Sequence, residues 1–265
     1  MIVFKSAQEI DQMRPASRIV ARILAELRLR IAPGVRTADL DAYAESRAHE
    51  LGAQPAFKGY RGYPASLCTS INEEVVHGIP SGRELREGDI ISLDFGVLYQ
   101  GFFGDAAVTC PVGRVGEAAR DLIDTAEQAL SRGLEELADG RHLQDYSHAV
   151  QDYVEGRGKS VIRAFVGHGI GHALHEEPQV PNFGLPGRGP KMRSGLTLAL
   201  EPMIAAGHYE IEVLEDGWTA VTKDRSLAAH VEHTVALTET GVEILTVWDD
   251  PAREAVRPGQ EKHYA

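Results

Sequence analysis

The apolar positions in the first 50 residues recur at helical spacing. Over residues 6–31 they return every three, four or six positions and leave charged side chains on the opposite face. Ser6 followed by Glu9 is typical of a capping box at the start of a helix. The pattern predicts a second helix over 38–51, which Thr37 would cap and the next glycine would end.

The rest of the chain alternates between strand-rich and helical stretches. The predicted order is strands over 56–111, helices over 116–138 and 143–157, and strands again over 160–238. The segments Gly34–Tyr43 and Gly140–Tyr146 are similar, and each precedes a helix. We therefore predict an α+β fold with two duplicated halves, in which helices lie on one face of a single antiparallel sheet.

Composition and charge narrow the class of protein. The chain has 265 residues, 43% of them apolar, and a formal net charge of −12, which disfavours binding to nucleic acid or to an anionic membrane. We expect one domain over 1–248 and a polar tail over 249–265. No apolar run reaches the ~20 residues that cross a bilayer, and the N-terminus does not have the pattern of a signal peptide. Cys68 and Cys110 form no disulfide framework, so we expect buried free thiols in a reducing cytoplasm.

Two aspartates flank a predicted hairpin turn. With a two-residue turn at Tyr99–Gln100, Asp94 and Asp105 face each other across the ladder, with Cβ atoms about 5 Å apart. A three-residue loop would instead place them on opposite faces. Opposed carboxylates are destabilising unless a positive charge lies between them. Taken alone, the pair favours the interpretation of two solvated surface aspartates, because aspartate is common near turns.

Further candidate ligands lie in the second half. Glycines on both sides of His168 argue against a helix, so we predict a glycine-rich loop after a strand over 160–166, with His168 and His175 exposed separately. Glu201 and Glu232 lie in apolar strands, where a carboxylate is rarely buried without a partner. The proline after Glu201 ends its strand and places that carboxylate at a rim.

A metal centre is the simplest partner for these side chains. The four carboxylates carry four negative charges and His168 is neutral, so two divalent cations balance the site. Oxygen-rich ligation with one imidazole suits Mn²⁺, Fe²⁺ or Co²⁺ better than a closed tetrahedral zinc site. Two metals about 3.5–4 Å apart would activate water and stabilise an oxyanion.

Short motifs distributed along the chain carry a family resemblance. Over about residues 2–247 the sequence resembles the type I methionine aminopeptidases, which have the pita-bread fold. The motifs occur in the family's order and with similar spacing: Gly62-Tyr-Pro64, Ser70-Ile-Asn72-Glu73, Val76-His-Gly-Ile-Pro80, Asp89-Ile-Ile-Ser-Leu-Asp94, Gly101-Phe-Phe-Gly-Asp105, Gly167-His-Gly-Ile-Gly171, His175-Glu-Glu-Pro-Gln-Val180, Leu200-Glu-Pro-Met203, Asp216-Gly-Trp218, Thr222-Lys-Asp-Arg-Ser-Leu227 and Val231-Glu-His-Thr234.

The resemblance implies a role for each candidate residue. The five metal ligands would be Asp94, Asp105, His168, Glu201 and Glu232, and a hydroxide would bridge the two ions. Asp105 and Glu232 would bridge the ions as well, and Glu201 would also act as general base and acid. His77 and His175 would contact the substrate around the scissile bond. The activity implied is removal of the N-terminal methionine from nascent proteins and peptides with a small second residue.

The resemblance also locates a methionine pocket, and the chain departs from the family pattern near it. The pocket residues would be Phe57, Tyr60, Tyr63, Cys68, Leu174 and Trp218. Leu174, His172 and His230 stand where many members have an aromatic residue, Arg and Gln, respectively. Asn72 matches a monovalent-cation site in relatives, but Ala228 lacks the hydroxyl often found there, so we do not predict that site.

Two other interpretations use the same fold. A proline-specific aminopeptidase would use the same five ligands, but such relatives usually carry an extra N-terminal domain, for which the start of this chain leaves no room. A non-catalytic module that binds peptides would typically have lost metal ligands, and all five are present here. We further expect a monomer whose partners are nascent chains, with at most transient contact with the ribosome.

Overall fold

The computed structural model describes residues 1–247, and the tail predicted over 249–265 lies outside them. Helices are α1 (Ala7–Arg28), α2 (Thr37–Glu50), α3 (Glu117–Glu135) and α4 (Leu143–Gly156), and a 3₁₀ turn covers Tyr60–Gly62. Strands are β1 (Gln54–Pro55), β2 (Cys68–Ile71), β3 (Glu74–Val76), β4 (Ile90–Tyr99), β5 (Phe102–Pro111), β6 (Ser160–Val161), β7 (Gly167–Gly169), β8 (Glu176–Val180), β9 (Thr197–Leu200), β10 (Met203–Ala205), β11 (Ile211–Val213), β12 (Ala220–Thr222), β13 (Ala228–His230), β14 (Glu232–Thr238) and β15 (Gly241–Ile244).

The two N-terminal helices start in different ways. Helix α1 has the predicted capping box: the Glu9 amide donates to the Ser6 hydroxyl and the Ser6 amide donates to the Glu9 carboxylate. The predicted cap of α2 is wrong, because Thr37 is already its first helical residue. The amides of Thr37 and Ala38, in the first turn of α2, donate instead to the carbonyls of Arg83 and Ser81, so a neighbouring loop replaces the side-chain cap.

One large sheet organises the fold. Its order is β1-β4-β5-β14-β9-β7-β8, with β2 paired to β4 and β15 to β14, and every pairing is antiparallel. Two three-stranded sheets, β13-β10-β6 and β11-β12-β3, accompany it. The predicted α+β class is confirmed. At the centre, β5 of the first half pairs with β14 of the second, so the two halves meet in the middle of the sheet.

The helices cover one face of the large sheet. Leu93 and Phe95 of β4 pack into a core with α1 and α2, whereas Leu198 and Val235 of the second half pack with α3 and α4. Side chains alternate between the faces of a strand, so Asp94, between Leu93 and Phe95, projects from the opposite face. That face carries the polar side chains described below.

No helix within residues 1–247 combines the length and the apolar character that a membrane crossing requires. Both cysteines are buried, as predicted, and neither is part of a disulfide.

Candidate metal centre and substrate pocket

The β4–β5 hairpin places the first two carboxylates on one face. Its turn residues are Gln100 and Gly101, both with positive φ, and not Tyr99–Gln100 as predicted. Gly96 therefore lies opposite Asp105, and Asp94 is its diagonal neighbour, so the prediction of a directly opposed pair is wrong. The true turn still has two residues, which keeps both carboxylates on the same face.

Glycine at position 96 gives the Asp105 carboxylate its space. A Cβ there would lie 2.8 Å from Phe57 Cε1 and 3.2 Å from Asp105 Oδ1. Any larger side chain would therefore have to displace the aromatic ring or the carboxylate.

His168 lies on a strand, which corrects the prediction of a glycine-rich loop. Strand β7 pairs with both β8 and β9, and His168 faces Ala199 across one ladder. A Cβ at Gly167 or Gly169 would collide with a carbonyl oxygen of a neighbouring strand. The glycines therefore permit a close approach of strands rather than a flexible loop. The preceding strand is also shorter than predicted and spans only Ser160–Val161.

The two glutamates come from adjoining strands of the second half. Strand β9 ends at Leu200, directly before Glu201, and the following proline prevents its continuation, as predicted. The predicted rim position is wrong, because the Glu201 side chain is only 13% exposed and its Oε1 lies 3.5 Å from His168 Nε2. Glu232 begins β14 and is 2% exposed.

The fold brings all five predicted ligands together at the floor of one cavity. Asp105, His168 and Glu232 each offer a ligand atom, and these three atoms lie within 4.8 Å of one another. In the described part of the chain, no lysine or arginine forms an ion pair with any of the four carboxylates. Three buried oxygens, Asp94 Oδ1, Asp105 Oδ1 and Glu232 Oε1, have no hydrogen-bond partner.

The electrostatics of this acidic floor favour a bound cation. Burial raises the pKa of the Asp94 carboxyl to about 7. Burial, reinforced by neighbouring carboxylates, raises the pKa values of Asp105, Glu201 and Glu232 well above their usual range. Burial lowers the pKa of His168 to about 4, which keeps the imidazole neutral and free to bind metal. Unpartnered carboxylate oxygens and a neutral imidazole are a donor set that fits divalent metal ions.

The cavity has a volume of about 140 Å³, and its walls beyond the acidic floor carry mostly apolar and aromatic side chains. The predicted pocket residues all line it: Phe57, Tyr60, Tyr63, Cys68, Leu174 and Trp218, together with His77 and His175. Its size is close to the ~150 Å³ of engineered cavities that bind benzene. One apolar side chain is therefore a suitable occupant.

The two predicted substrate-contacting histidines both line the cavity and contact different neighbours. His175 Nδ1 lies 2.9 Å from the Tyr60 hydroxyl, and its ring stacks on Tyr60 at 5.2 Å and lies 4.1 Å from the ring of His168. The His77 ring makes edge contacts with Phe165 and Trp218. Burial lowers the pKa of both imidazoles, that of His175 to about 3, so both are neutral at pH 7.

Sequence reasoning missed two residues of this site. Arg61 lines the cavity, and its only signal was a charged residue between two glycines. His230 was noted only as a departure from the family pattern, yet it is 1% exposed with Nε2 3.8 Å from Glu201 Oε2 and both ring nitrogens unpaired. His172, the other noted histidine, contacts Glu9 and Phe102 and does not line the cavity.

The amide of Asn72 is used within the protein. Its Nδ2 donates to Asp89, and its Oδ1 accepts from the Ile90 amide. These bonds hold the start of β4 against the end of β2.

Buried carboxylates and an imidazole beneath an apolar cavity define, as a class, a metalloenzyme. Residues 11–239 match the model of metallopeptidase family M24. A methionine aminopeptidase of Clostridium acetobutylicum is 51% identical over 248 residues, which cover 93% of this chain and 99% of that protein. The crystal structure of methionine aminopeptidase from Thermotoga maritima has a TM-score of 0.91 and 47% identity, and the match covers 93% of this chain and 99% of the other. The chain therefore belongs to metallopeptidase family M24 and, within it, to the methionine aminopeptidases.

A more distant structure shows the fold alone. A prolidase from Pyrococcus furiosus has a TM-score of 0.77 at 21% identity, covering 94% of this chain and 66% of the prolidase. The predicted pita-bread fold and family are confirmed. The proline-specific and non-catalytic alternatives are not favoured, since the relatives that match most of the chain are methionine aminopeptidases.

Proposed function

We propose that this chain hydrolyses the first peptide bond of nascent proteins and peptides that begin with methionine and have a small second residue. The observation that carries this proposal is the position of the four carboxylates, which form no ion pair with lysine or arginine among residues 1–247 and line the floor of a cavity of the size of one side chain. The cavity selects the first residue, and the acidic floor supplies the hydrolytic chemistry.

The proposed metal ligands are Asp94, Asp105, His168, Glu201 and Glu232. Four carboxylates and a neutral imidazole match the charge of two divalent ions, with Mn²⁺, Fe²⁺ and Co²⁺ as the candidates. When bound, such ions would lower the pKa of a water molecule and would supply positive charge that stabilises the developing oxyanion.

Glu201 is the proposed general base and acid. Glu201 lies just after the end of a strand, and its second carboxylate oxygen, Oε2, is 3.8 Å from His230 Nε2. Among residues 1–247, no lysine or arginine forms an ion pair with this carboxylate. It can therefore take a proton from the attacking water and return it to the leaving amine.

His77 and His175 hold the scissile carbonyl. Both are neutral at pH 7, so each donates one N–H without bringing a charge into the acidic floor. The Tyr60 hydroxyl occupies His175 Nδ1, which leaves Nε2 for the substrate. Tyr60 thus orients the histidine while its ring forms part of the methionine pocket.

The remaining pocket residues bind the methionine side chain. Phe57, Tyr63 and Trp218 offer aromatic faces and Cys68 a soft sulfur, both of which suit a thioether. Leu174 completes the wall with a branched side chain, so the cavity is closed by an aliphatic group on that side.

Mass spectrometry of peptide digests tests the proposal. The purified protein with added Mn²⁺ or Co²⁺ is incubated with a Met-Ala peptide and, separately, with a matched Leu-Ala peptide and an Ala-Pro peptide. Loss of one methionine from the first peptide alone, abolished by a chelator and restored by metal, is the expected result. Cleavage of the Ala-Pro peptide in preference to the Met-Ala peptide would contradict the proposal, and so would metal binding without cleavage of any peptide.

A further inference from the structure

The mouth of the cavity carries one cation. Arg61 is exposed and, among residues 1–247, is the only lysine or arginine that lines the cavity. Within residues 1–247 no carboxylate forms an ion pair with it; its guanidinium instead lies 5.4 Å from the centroid of the Tyr60 ring. The charge is therefore available to a ligand that enters the cavity.

The backbone at Arg61 has an uncommon conformation for its residue type. Its φ of 50° and ψ of 20° are in the left-handed region, between Gly59 and Gly62, which also have positive φ. A non-glycine residue in this region costs about 1 kcal/mol and persists where the surrounding structure enforces it, often at ligand-binding sites. Asparagine or glycine would adopt this backbone more readily than arginine.

A row of side chains connects Arg61 to the acidic floor. The Arg61 guanidinium lies 5.4 Å from the Tyr60 ring, Tyr60 stacks on His175 at 5.2 Å, and His175 lies 4.1 Å from His168. Negative charge lies at one end of this row and a single positive charge at the other. On the proposed function, the scissile bond lies beside His175, and the rest of the substrate leaves through the mouth.

The length of this row of side chains indicates which residues of a bound substrate come close to the Arg61 guanidinium. The guanidinium is two ring spacings from His175, and an extended peptide advances about 3.3 Å per residue. The third and fourth residues of a substrate are therefore the first to reach it. We propose that Arg61 is a specificity-determining residue that favours substrates with an acidic side chain at the third or fourth position over substrates with a basic one there.

This inference rests on the proposed function and concerns a solvent-exposed charge. Exposed ion pairs contribute about 0.2–1 kcal/mol, which corresponds to a change of at most about fivefold in kcat/KM. The effect must also weaken as salt is raised, because the Debye length falls from about 10 Å at 0.1 M to about 3 Å at 1 M.

Competition between matched peptides tests it. The metal-loaded enzyme receives equimolar Met-Ala-Ala-Xaa-Ala amides with Asp, Asn or Lys at Xaa, and a second set carries the variable residue at position three. C-terminal amidation removes the terminal carboxylate. We expect the Asp peptide to exceed the Lys peptide about two- to fivefold in kcat/KM at low salt, and the ratio to fall towards one at 1 M salt.

Substitutions at position 61 test whether Arg61 causes the preference for acidic peptides. Arg61→Asn suits the backbone and removes the cation, so the Asp-to-Lys ratio should fall from its wild-type value. In Arg61→Glu the ratio should invert. In Arg61→Lys, which keeps the positive charge, the ratio should persist. Arg193→Asn makes the same change in net charge at an exposed arginine that does not line the cavity, and should leave the ratio unchanged.

The neutral Asn peptide separates two kinds of failure. If the enzyme releases methionine from that peptide but the ratio is the same in the wild type and in Arg61→Asn, or changes equally in Arg193→Asn, the assignment of Arg61 is wrong. If no methionine is released from the neutral peptide, the proposed function itself is wrong, and the inference that rests on it is wrong with it.

Discussion

Two groups of buried charge lie at opposite ends of the segment 168–176, and they differ in how they are neutralised. At one end, Lys5 and Glu176 form an ion pair whose side chains are 1% and 9% exposed. Lys5 Nζ also lies near the Val3 carbonyl, and the other Glu176 oxygen accepts from the Ala173 amide. At the other end, the acidic floor has four carboxylates with no lysine or arginine partner among the residues described.

The difference shows which of the two groups has its charge balanced by the protein itself. The Lys5–Glu176 pair has its counter-charge and its hydrogen bonds, so its role is to hold the N-terminal segment against the segment that carries His168 and His175. The acidic floor has no lysine or arginine counter-charge among residues 1–247, and three of its buried carboxylate oxygens have no hydrogen-bond partner. Burial without a counter-ion is costly for a carboxylate. Because the chain does not balance the charge of the acidic floor, a cationic ligand is needed to balance it.

The largest expected effect on stability is at the complete pair. Lys5→Met leaves the Glu176 carboxylate buried without a counter-charge and should lower the free energy of unfolding by about 3–5 kcal/mol. Lys58→Met, which removes a lysine from an exposed pair with Glu45, should cost less than about 1 kcal/mol. Urea denaturation of the three metal-loaded proteins measures both. Equal losses would mean that the buried pair does not hold the segment.

The largest expected effect on rate is at the acidic floor. Glu201→Gln keeps the shape of the side chain and removes its proton-transfer capacity, so kcat should fall by about 10²–10⁴-fold. Metal content, measured by elemental analysis, should fall much less than kcat. An unchanged turnover would remove Glu201 from the proton transfer.

Removal of one carboxylate should change stability in the opposite direction from Lys5→Met. In the metal-free protein, Asp94→Asn relieves burial and repulsion of a charge and should raise the free energy of unfolding by about 1 kcal/mol or more. The same variant should bind less metal and lose activity in parallel. Asp41→Asn, at an aspartate that accepts two backbone amides and does not line the cavity, should leave metal content unchanged. Full metal content and activity in Asp94→Asn would contradict the ligand assignment.

The pH dependence of the metal-free protein gives the most specific effect. The folded-state pKa values of the floor carboxylates are raised, so the folded protein binds more protons than the unfolded chain, and stability is lost as pH rises through those values, about 7 for Asp94. Histidines with lowered pKa, such as His168, have the opposite effect, but only below their unfolded value of about 6.5.

The measurement therefore runs from pH 6.5 to 8.5. The free energy of unfolding of the metal-free protein should fall by up to about 1.4 kcal/mol per pH unit for each carboxylate that is still protonated in the folded state and ionised in the unfolded chain. Saturating metal should abolish the decline, because the ligands are then ionised throughout. A flat profile for the metal-free protein would show that the carboxylates are less crowded than the geometry indicates.

Much of the candidate site was predictable because its residues occur in short local motifs. Asp94 follows a turn within an apolar strand, Glu201 precedes a proline, and both features act over a few residues. The helices were predicted for the same reason, since periodicity and the Ser6 capping box are local. The predictions that were wrong depend on interactions between distant segments. The cap of α2 is replaced by a loop some 45 residues away, and the glycines around His168 allow strands to pack closely.

The sequence by itself determined the class of fold, the family and the identity of the candidate ligands, because these depend on residue type and order. Only the tertiary structure decided the register of the β4–β5 hairpin, the strand that carries His168 and the burial of Glu201. It also decided which charges remain without a partner, and so distinguished the balanced Lys5–Glu176 pair from the acidic floor and revealed Arg61 at its mouth. The physical reason is that register, burial and charge balance arise from contacts between segments far apart in the chain, which no local pattern encodes.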